Sequence, residues 1–262
     1  MGGNAESSSP AYSERRRGQE NENHKKAAST GHFSQSEHDA ILLHVAFAIV
    51  AAVTLLSSPP ESLGPRIWSL IIGWYTSVIT TALQRNHTHW LKLLRFLSMI
   101  SIFFVIPDGF LVKGLKTIHF PDIGVGQIFG VSSFMAFMWA IPLFLSTLVG
   151  MGMEERGAGM YQAAWGSGIT SLIVMGGSEL VLTRIPIWYA LGNCSTVGQH
   201  AAIYVLVPEC CLGMVVFLGW KYIVSLQGQV SFIVQLYLAF LIMCSYLGNL
   251  IVWYMILDGD KL

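Results

Sequence analysis

Residues 160–182, MYQAAWGSGITSLIVMGGSELVL, form one of the most apolar runs of the chain, and their only charged side chain is Glu179. A helix of this length crosses the hydrocarbon core of a bilayer. A carboxyl at the bilayer centre costs about 2.5 to 3.5 kcal/mol on insertion scales, so such residues usually face the protein interior and mark a functional path. The same feature recurs in YVLVPECCLG, residues 204–213, where Glu209 follows Pro208.

The composition places the chain among membrane proteins. Of its 262 residues 53% are hydrophobic and 11% are charged, whereas soluble domains have about 25% charged residues. The bilayer is therefore the first expected partner. The formal net charge is zero, and the sequence has no basic stripe and no nucleic-acid motif, so nucleic acid is not an expected partner. The four cysteines have no metal-ligand spacing, which argues against a zinc site or a disulfide framework.

Apolar runs of about 17 to 25 residues predict an all-α bundle of seven transmembrane helices. The segments between them are rich in Gly, Pro or charge. Residues 39–258 are assigned to this bundle and 259–262 to a short C-terminal tail. Residues 1–38 are polar and lack periodicity, so we expect a disordered tail. The predicted helices are 40–57, 67–83, 90–106, 127–149, 160–182, 200–219 and 229–256.

Local signals refine this prediction. Ser34 and Glu37 have capping-box spacing, so the first helix is expected to begin in water. Small residues in GMYQAAWGSG and VMGG, in the fifth helix, predict a close approach to its neighbours. The last apolar run contains no lysine for a retinal Schiff base, and the triplets typical of seven-helix receptors are absent. These two classes of seven-helix protein are therefore not favoured.

Seven passes place the two termini on opposite faces, here called face A for the N-terminal side and face B for the other. Near the membrane ends face A carries seven Lys or Arg residues and face B five, which favours a cytoplasmic N-terminus. An endoplasmic-reticulum-type membrane is the default location because neither a signal peptide nor a transit-peptide composition is present. The glycosylation sequons at Asn86 and Asn193 lie on opposite faces, and this orientation favours Asn193.

The two apolar-run glutamates are the candidate catalytic residues. Glu179 lies roughly 4 to 5 Å from the face-B end of the fifth helix, and Glu209 lies roughly 13 Å into the sixth, at 1.5 Å per residue. A low dielectric favours the neutral form of a carboxyl and so prepares it as a general acid. We expect both to converge on one cavity that opens toward face B, with Glu209 as the acid.

Other residues near face B are assigned to the same site. His200 is the third candidate for catalysis because an imidazole beside carboxylates is a usable base. The candidates for substrate binding are Asp108, Trp165, Arg184, Trp188, Tyr189 and Tyr204.

Several of these residues also have a structural interpretation. Trp188 and Tyr189 suit an interfacial aromatic belt, Arg184 suits an ion pair with Glu179, and His200 suits an interfacial helix start. His44, in the first helix, is interpreted as structural. The charged residues 154–156 are interpreted as a solvated turn.

The order FMAFMWAIPLF (134–144), GGSE (176–179), WYA (188–190), His200 and YVLVPECCLG resembles an uncharacterised family of small polytopic membrane proteins. The likeness covers roughly residues 38 to 220. More distantly, the Pro-Glu pair is similar to the Pro-x-Glu-Glu element of the small membrane lycopene cyclases, and the architecture resembles carotenoid hydratases and the membrane terpene cyclases of meroterpenoid pathways. Cys210 and Cys211 replace the residues that would complete that element.

That resemblance implies a metal-independent enzyme that protonates an isoprenoid alkene or epoxide with buried carboxyls. Trp165, Trp188 and Tyr204 would stabilise the developing cation by their ring faces. No cofactor and no metal are expected, since the sequence has neither an Asp-rich diphosphate motif nor HExxH. The alternative is a non-enzymatic membrane carrier or scaffold, in which the buried carboxyls handle protons or serve packing.

Overall fold

The computed structural model describes residues 34–57, 59, 62–181, 185, 187–197, 201–226 and 231–261. Most of these residues are helical, as predicted. The predicted tail up to residue 33 lies outside the described residues. The helices are α1 Gln35–Leu56, α2 Leu63–Gln84, α3 Thr88–Phe103, α4 Val105–Phe110, α5 Met135–Met138, α6 Ala140–Glu155, α7 Met160–Val181, α8 Ile203–Ser225 and α9 Phe232–Asp258.

Short irregular elements join the helices. A π-helical turn, Leu111–Leu115, follows α4, and a 3-10 turn, Gly259–Lys261, follows α9. Three antiparallel ladders of two residues a strand pair β1 with β4, β2 with β3 and β5 with β6. The all-α prediction therefore missed small β ladders between the helices. The strands are β1 Ile118–His119, β2 Gln127–Ile128, β3 Val131–Ser132, β4 Tyr189–Ala190, β5 Thr196–Val197 and β6 Ala201–Ala202.

The largest error in the predicted helix boundaries is the start of the helix placed at 127–149. Its first residues form the β2–β3 hairpin, whose turn has positive φ at Phe129 (55°) and Gly130 (84°). Glycine tolerates this backbone region, which ends a helical path. The apolar residue Val131 is instead buried in β3. The helix begins at Met135, and hydrophobicity alone did not separate hairpin from helix.

The start of α1 confirms the predicted cap. The Ser34 side chain accepts a hydrogen bond of 3.3 Å from the Glu37 backbone N–H. The Glu37 carboxylate does not complete a capping box but binds Arg156, whose Nη1 lies 2.6 Å from Glu37 Oε1. Residues 35–38, which the sequence analysis placed in the tail, are the first residues of α1.

Within the described ranges, five helical segments are long and apolar enough to cross a membrane. Large apolar side chains are exposed on their outer surfaces, for example Val53 (66%) on α1 and Ile233 (73%) on α9. Extended exposed apolar surface is typical of contact with lipid. The chain is thus consistent with a membrane-associated helical protein. The five segments are Gln35–Leu56, Thr88–Leu115, Met135–Glu155, Ile203–Ser225 and Phe232–Lys261.

The centre of the bundle consists of α3, α6 and α8. Helix α7 packs against α6 and α8, α9 packs against α8 and α3, and α1 contacts α2 and α6. Helix α1 is the most loosely packed: its buried residues, Glu37, Ala40 and His44, all lie in its first half. The second half of α1 lies beside the cavity described below.

Ion pairs hold the helix ends together at face A. Glu37 on α1 pairs with Arg156, and Lys221 near the end of α8 pairs with Glu154 at 2.8 Å. The backbone at Gly152 makes room for the first pair, because a Cβ there would lie 2.2 Å from the Glu37 carboxylate. The interpretation of residues 154–156 as a solvated turn fits only Glu155, which is exposed. Arg156 and Glu154 instead tether α1 and α8 to α6.

Glycines bring α7 and α8 into backbone contact. A Cβ at Gly213 would lie 2.5 Å from Ser171 Cβ and 2.8 Å from the Ser167 carbonyl oxygen. The Ser167 hydroxyl donates a hydrogen bond of 3.0 Å to the Gly213 carbonyl. A Cβ at Gly168 would likewise lie 2.8 Å from the Cys210 carbonyl oxygen. The predicted close approach of this helix is confirmed, and small residues of this kind are typical of helix contacts in membranes.

We expect Gly213→Ala to destabilise the bundle by about 1 to 3 kcal/mol, because the added methyl group forces α7 and α8 apart. Gly177→Ala is the matched control on α7, since nothing lies within 4 Å of a Cβ there. The thermal unfolding midpoint in detergent measures both. An equal effect of the two substitutions would contradict the proposed close contact.

Candidate functional site

A cavity of about 690 Å³ lies between α1, α2, α6, α7 and α8. Its volume falls within the range of pockets for small molecules, about 300 to 1,000 Å³. Most of its wall is apolar. The polar and aromatic residues on the wall are His44, Phe47, Asp108, Phe120, Trp139, Ser178, Glu179, Trp188, Glu209 and Tyr246.

Asp108 lies on α4, where the α3 path continues past its break at Phe104. Its side chain is 3% exposed. The indole N–H of Trp139, at the junction of α5 and α6, donates a hydrogen bond of 3.0 Å to Asp108 Oδ2. Burial of a polar group costs free energy unless the group has such a partner. Trp139 thus holds the Asp108 carboxyl at the cavity wall.

Glu179 has an equivalent arrangement on α7. The indole N–H of Trp188, in the segment between α7 and α8, donates a hydrogen bond of 3.0 Å to Glu179 Oε1. Glu179 is 9% exposed. Trp188 itself is half-buried and packs near Phe120, with ring centroids 6.1 Å apart. Two carboxyls from different helices are therefore each oriented by one indole.

Glu209 differs from the other two carboxyls. It is 3% exposed, and its Oε2 is buried without a hydrogen-bond partner among the described residues. It lies one residue after Pro208, which removes a backbone hydrogen bond inside α8. Glu209 lies close enough to Glu179 and Asp108 to interact with both electrostatically. The three acidic side chains form one cluster, with Glu209 Oε2 as its unpaired atom.

Tyr246 on α9 closes the cluster from the other side. It lies within electrostatic reach of Glu209, Asp108 and Glu179. Its ring stacks on Phe104 with centroids 4.8 Å apart and meets Trp139 edge-on at 5.8 Å. An aromatic wall of this kind offers ring faces beside the acidic groups.

The segment that carries Trp188 is fixed to α9 at face B. The Asp258 carboxylate accepts hydrogen bonds from the Ser195 backbone N–H at 2.8 Å and from the Ser195 hydroxyl at 2.6 Å.

Burial and the nearby Asp258 raise the pKa of the Cys194 thiol to about 11. Cys194 therefore stays protonated near neutral pH and is not a nucleophile.

Asn193, the residue favoured for glycosylation, is held in the same segment. Its side-chain amide donates a hydrogen bond of 2.7 Å to the Leu115 carbonyl, and its Oδ1 is buried. A glycan on this amide would require that contact to break. The geometry therefore argues against modification of Asn193 in the folded protein.

The structure brings four of the predicted site residues to one cavity: Asp108, Glu179, Trp188 and Glu209. Arg184 and His200, predicted at its mouth, lie outside the described residues.

The remaining three predicted residues do not line the cavity. Trp165 is 55% exposed on the outer surface of α7. Tyr189 lies in β4, opposite His119. The hydroxyl of Tyr204 lies 2.6 Å from that of Thr117, an arrangement that serves packing. We therefore do not assign any of the three to this cavity.

Three residues that line the cavity, Trp139, Tyr246 and His44, were not predicted from the sequence as site residues. Trp139 lies within the FMAFMWAIPLF stretch, but nothing in that stretch indicates that its indole meets Asp108. Tyr246 is one aromatic residue in an apolar run. A lone histidine inside an apolar run was the one available signal for His44.

Within the described ranges no group of three or more His, Cys, Asp or Glu side chains is arranged to hold a metal ion.

Residues 105–257 match a family model described as a domain of unknown function, DUF6989. The chain belongs to this family. The DUF6989 region contains all three acidic residues of the cluster, whereas His44 and the rest of α1 precede it. No curated protein and no solved structure matches the chain. The comparisons thus provide no link to the lycopene cyclases.

Proposed function

We propose that this DUF6989 protein is a membrane enzyme that binds an elongated hydrophobic molecule in the cavity and acts on it by acid–base catalysis. The observation that carries the proposal is the cluster of Asp108, Glu179 and Glu209 on one apolar cavity. Helices α4, α7 and α8 each supply one of these residues. Buried carboxyls are costly to a fold and are therefore typical of functional sites.

Glu209 is the proposed acid. A carboxyl in an apolar cavity with an unpaired oxygen is most stable in its protonated form, because the ionised form would lack solvation. In that form it has a proton to donate into the cavity. A carboxyl of this kind matches the requirement for a general acid, which must lie within hydrogen-bond reach of the reacting atom.

Glu179 and Asp108 are the proposed proton acceptors. Each already accepts a hydrogen bond from an indole N–H, which stabilises the ionised form. Trp188 and Trp139 thus distinguish these two carboxyls from Glu209. Two groups with different environments suit the two roles of acid and base.

The proposed reaction conserves protons. The π electrons of a carbon–carbon double bond take up the Glu209 proton. This step forms a C–H bond at one carbon and leaves a cation at the other. The cation at the other carbon is stabilised by the ring faces of Trp139, Trp188 and Tyr246. Loss of a neighbouring proton to Glu179 or Asp108 then restores a double bond. The net result of these steps is isomerisation of an isoprenoid-type substrate. Attack of a second double bond of the same molecule on the cation, before the proton is lost, gives cyclisation, and capture of the cation by water, with loss of one water proton to the same carboxylate, gives hydration. Return of the proton from that carboxyl to Glu209 restores the acid.

We also propose seven membrane passes, with the N-terminus in the cytoplasm and an endoplasmic-reticulum-type location. The five apolar segments support this arrangement, and α2 and α7, at 22 residues each, are also long enough to span a bilayer. The excess of basic residues on face A supports the orientation.

The topology predicts that a tag at the N-terminus is digested by protease added to sealed microsomes, whereas a tag at the C-terminus is protected until detergent is added. Immunoblotting with both tagged forms measures this. Digestion of both tags in sealed vesicles would contradict an odd number of passes.

The catalytic proposal predicts that wild-type protein incubated with an isoprenoid lipid extract in D₂O yields products with deuterium on carbon, detected by mass spectrometry. Glu209→Gln keeps the shape of the side chain but removes the acidic proton. We expect it to lower product formation by about 10²- to 10⁴-fold, the usual contribution of a general acid. Glu155→Gln, at an exposed position, is the matched control and retains activity.

Full activity of Glu209→Gln would show that Glu209 is a packing residue. If wild-type protein converts no lipid, but vesicles with and without the protein differ in solute uptake, the protein is a carrier and not an enzyme.

A further inference from the structure

His44 lies on α1, away from the acidic cluster, and lines the same cavity. Its side chain is 9% exposed. Its ring stacks against Phe144, with centroids 6.0 Å apart, and meets Trp74 edge-on at 5.9 Å. The imidazole is thus held in one orientation by two aromatic neighbours.

The hydrogen bonding of His44 defines which ring nitrogen carries the proton. Nδ1 lies 2.8 Å from the Ala40 carbonyl oxygen. A carbonyl only accepts, so Nδ1 must be the donor, and Nε2 of the neutral ring is then an acceptor. Nε2 is buried and has no hydrogen-bond partner in the part of the chain that the structure describes. The Ile141 carbonyl lies near a ring N–H as a second, weaker acceptor, but no hydrogen bond of normal geometry joins it to Nε2.

The depth of His44 can be compared with that of the acids. It lies twelve residues from Leu56, the face-B end of α1, or roughly 18 Å at 1.5 Å per residue. Glu209 lies six residues from Ile203, the face-B end of α8, or roughly 9 Å by the same rise. His44 is therefore roughly 9 Å further from face B than Glu209. Apolar residues, Ile71, Ile141 and Pro142 among them, line the same cavity.

We infer that the ligand of this cavity is an elongated hydrophobic alcohol whose hydroxyl group donates a hydrogen bond to His44 Nε2. Its hydrocarbon part then extends along the apolar wall toward Glu209. An ether or a hydrocarbon has no hydrogen to donate, and a carboxylate would place its own lone pairs against that of Nε2. His44 is thus a specificity-determining residue, and this inference rests on the proposed binding of a hydrophobic molecule in the cavity.

Two matched pairs of probes test this inference: 1-hexadecanol with its methyl ether, and geranylgeraniol with its methyl ether. Binding to the full chain in lipid nanodiscs is measured by tryptophan fluorescence, since Trp139 and Trp188 line the cavity. We expect wild-type protein to bind each alcohol about 3- to 10-fold more tightly than its ether, the range of one net hydrogen bond.

His44→Phe keeps an aromatic ring between Trp74 and Phe144 and is expected to abolish the preference for the alcohol while it still binds the ether. His44→Leu provides a second variant without an acceptor, in case the larger ring disturbs α1. Leu42→Ala is the matched control, because Leu42 lies on α1 but is 55% exposed and does not line this cavity. It should retain the wild-type preference.

Equal binding of alcohol and ether by wild-type protein would overturn the inference about the hydroxyl group and leave the proposed function standing. An unchanged preference in both His44 variants would overturn the role of His44. Absence of saturable binding of all four probes by wild-type protein would overturn this inference and the binding of a hydrophobic molecule together.

Discussion

The backbone contact between α7 and α8 is the constraint on which the site depends. Gly168 and Gly213 let the two helices approach until side-chain atoms on one meet backbone atoms on the other. Glu179 and Glu209 lie on these same two helices, toward face B. Larger residues at the contact would separate the helices and with them the two carboxyls. Packing in the middle of the bundle therefore determines the chemistry near its end.

The acidic cluster divides into paired and unpaired members. Asp108 and Glu179 each accept a hydrogen bond from an indole N–H, of Trp139 and Trp188, whereas one oxygen of Glu209 has no partner within the described ranges. Burial of an unpaired polar atom reduces stability, so its retention needs a benefit elsewhere. A proton donor facing an apolar cavity provides such a benefit. At the other end of the cavity, the Nε2 atom of His44 is unpaired in the same way.

The sequence predicted the helical bundle, the close packing of the fifth predicted helix and the presence of Glu179 and Glu209 in apolar helices, because these depend on local composition. It did not predict the β2–β3 hairpin, since the apolar residues Ile128, Phe129 and Val131 suit a hairpin and a helix equally. Nor did it predict the Trp139–Asp108 contact or the pairing of Arg156 with Glu37. Those contacts join residues far apart in the chain, and the residues themselves carry no local signal for their partners.

Carbodiimide labelling tests most directly whether Glu209 is a neutral carboxyl in an apolar cavity. A carbodiimide adds to a protonated carboxyl, so hydrophobic dicyclohexylcarbodiimide should modify Glu209 in membranes, whereas a water-soluble carbodiimide should modify exposed Glu155 instead. Peptide mass spectrometry quantifies both adducts. We expect opposite preferences of the two reagents for these two residues. Rapid modification of Glu209 by the water-soluble reagent, or no modification by the hydrophobic one, would contradict it.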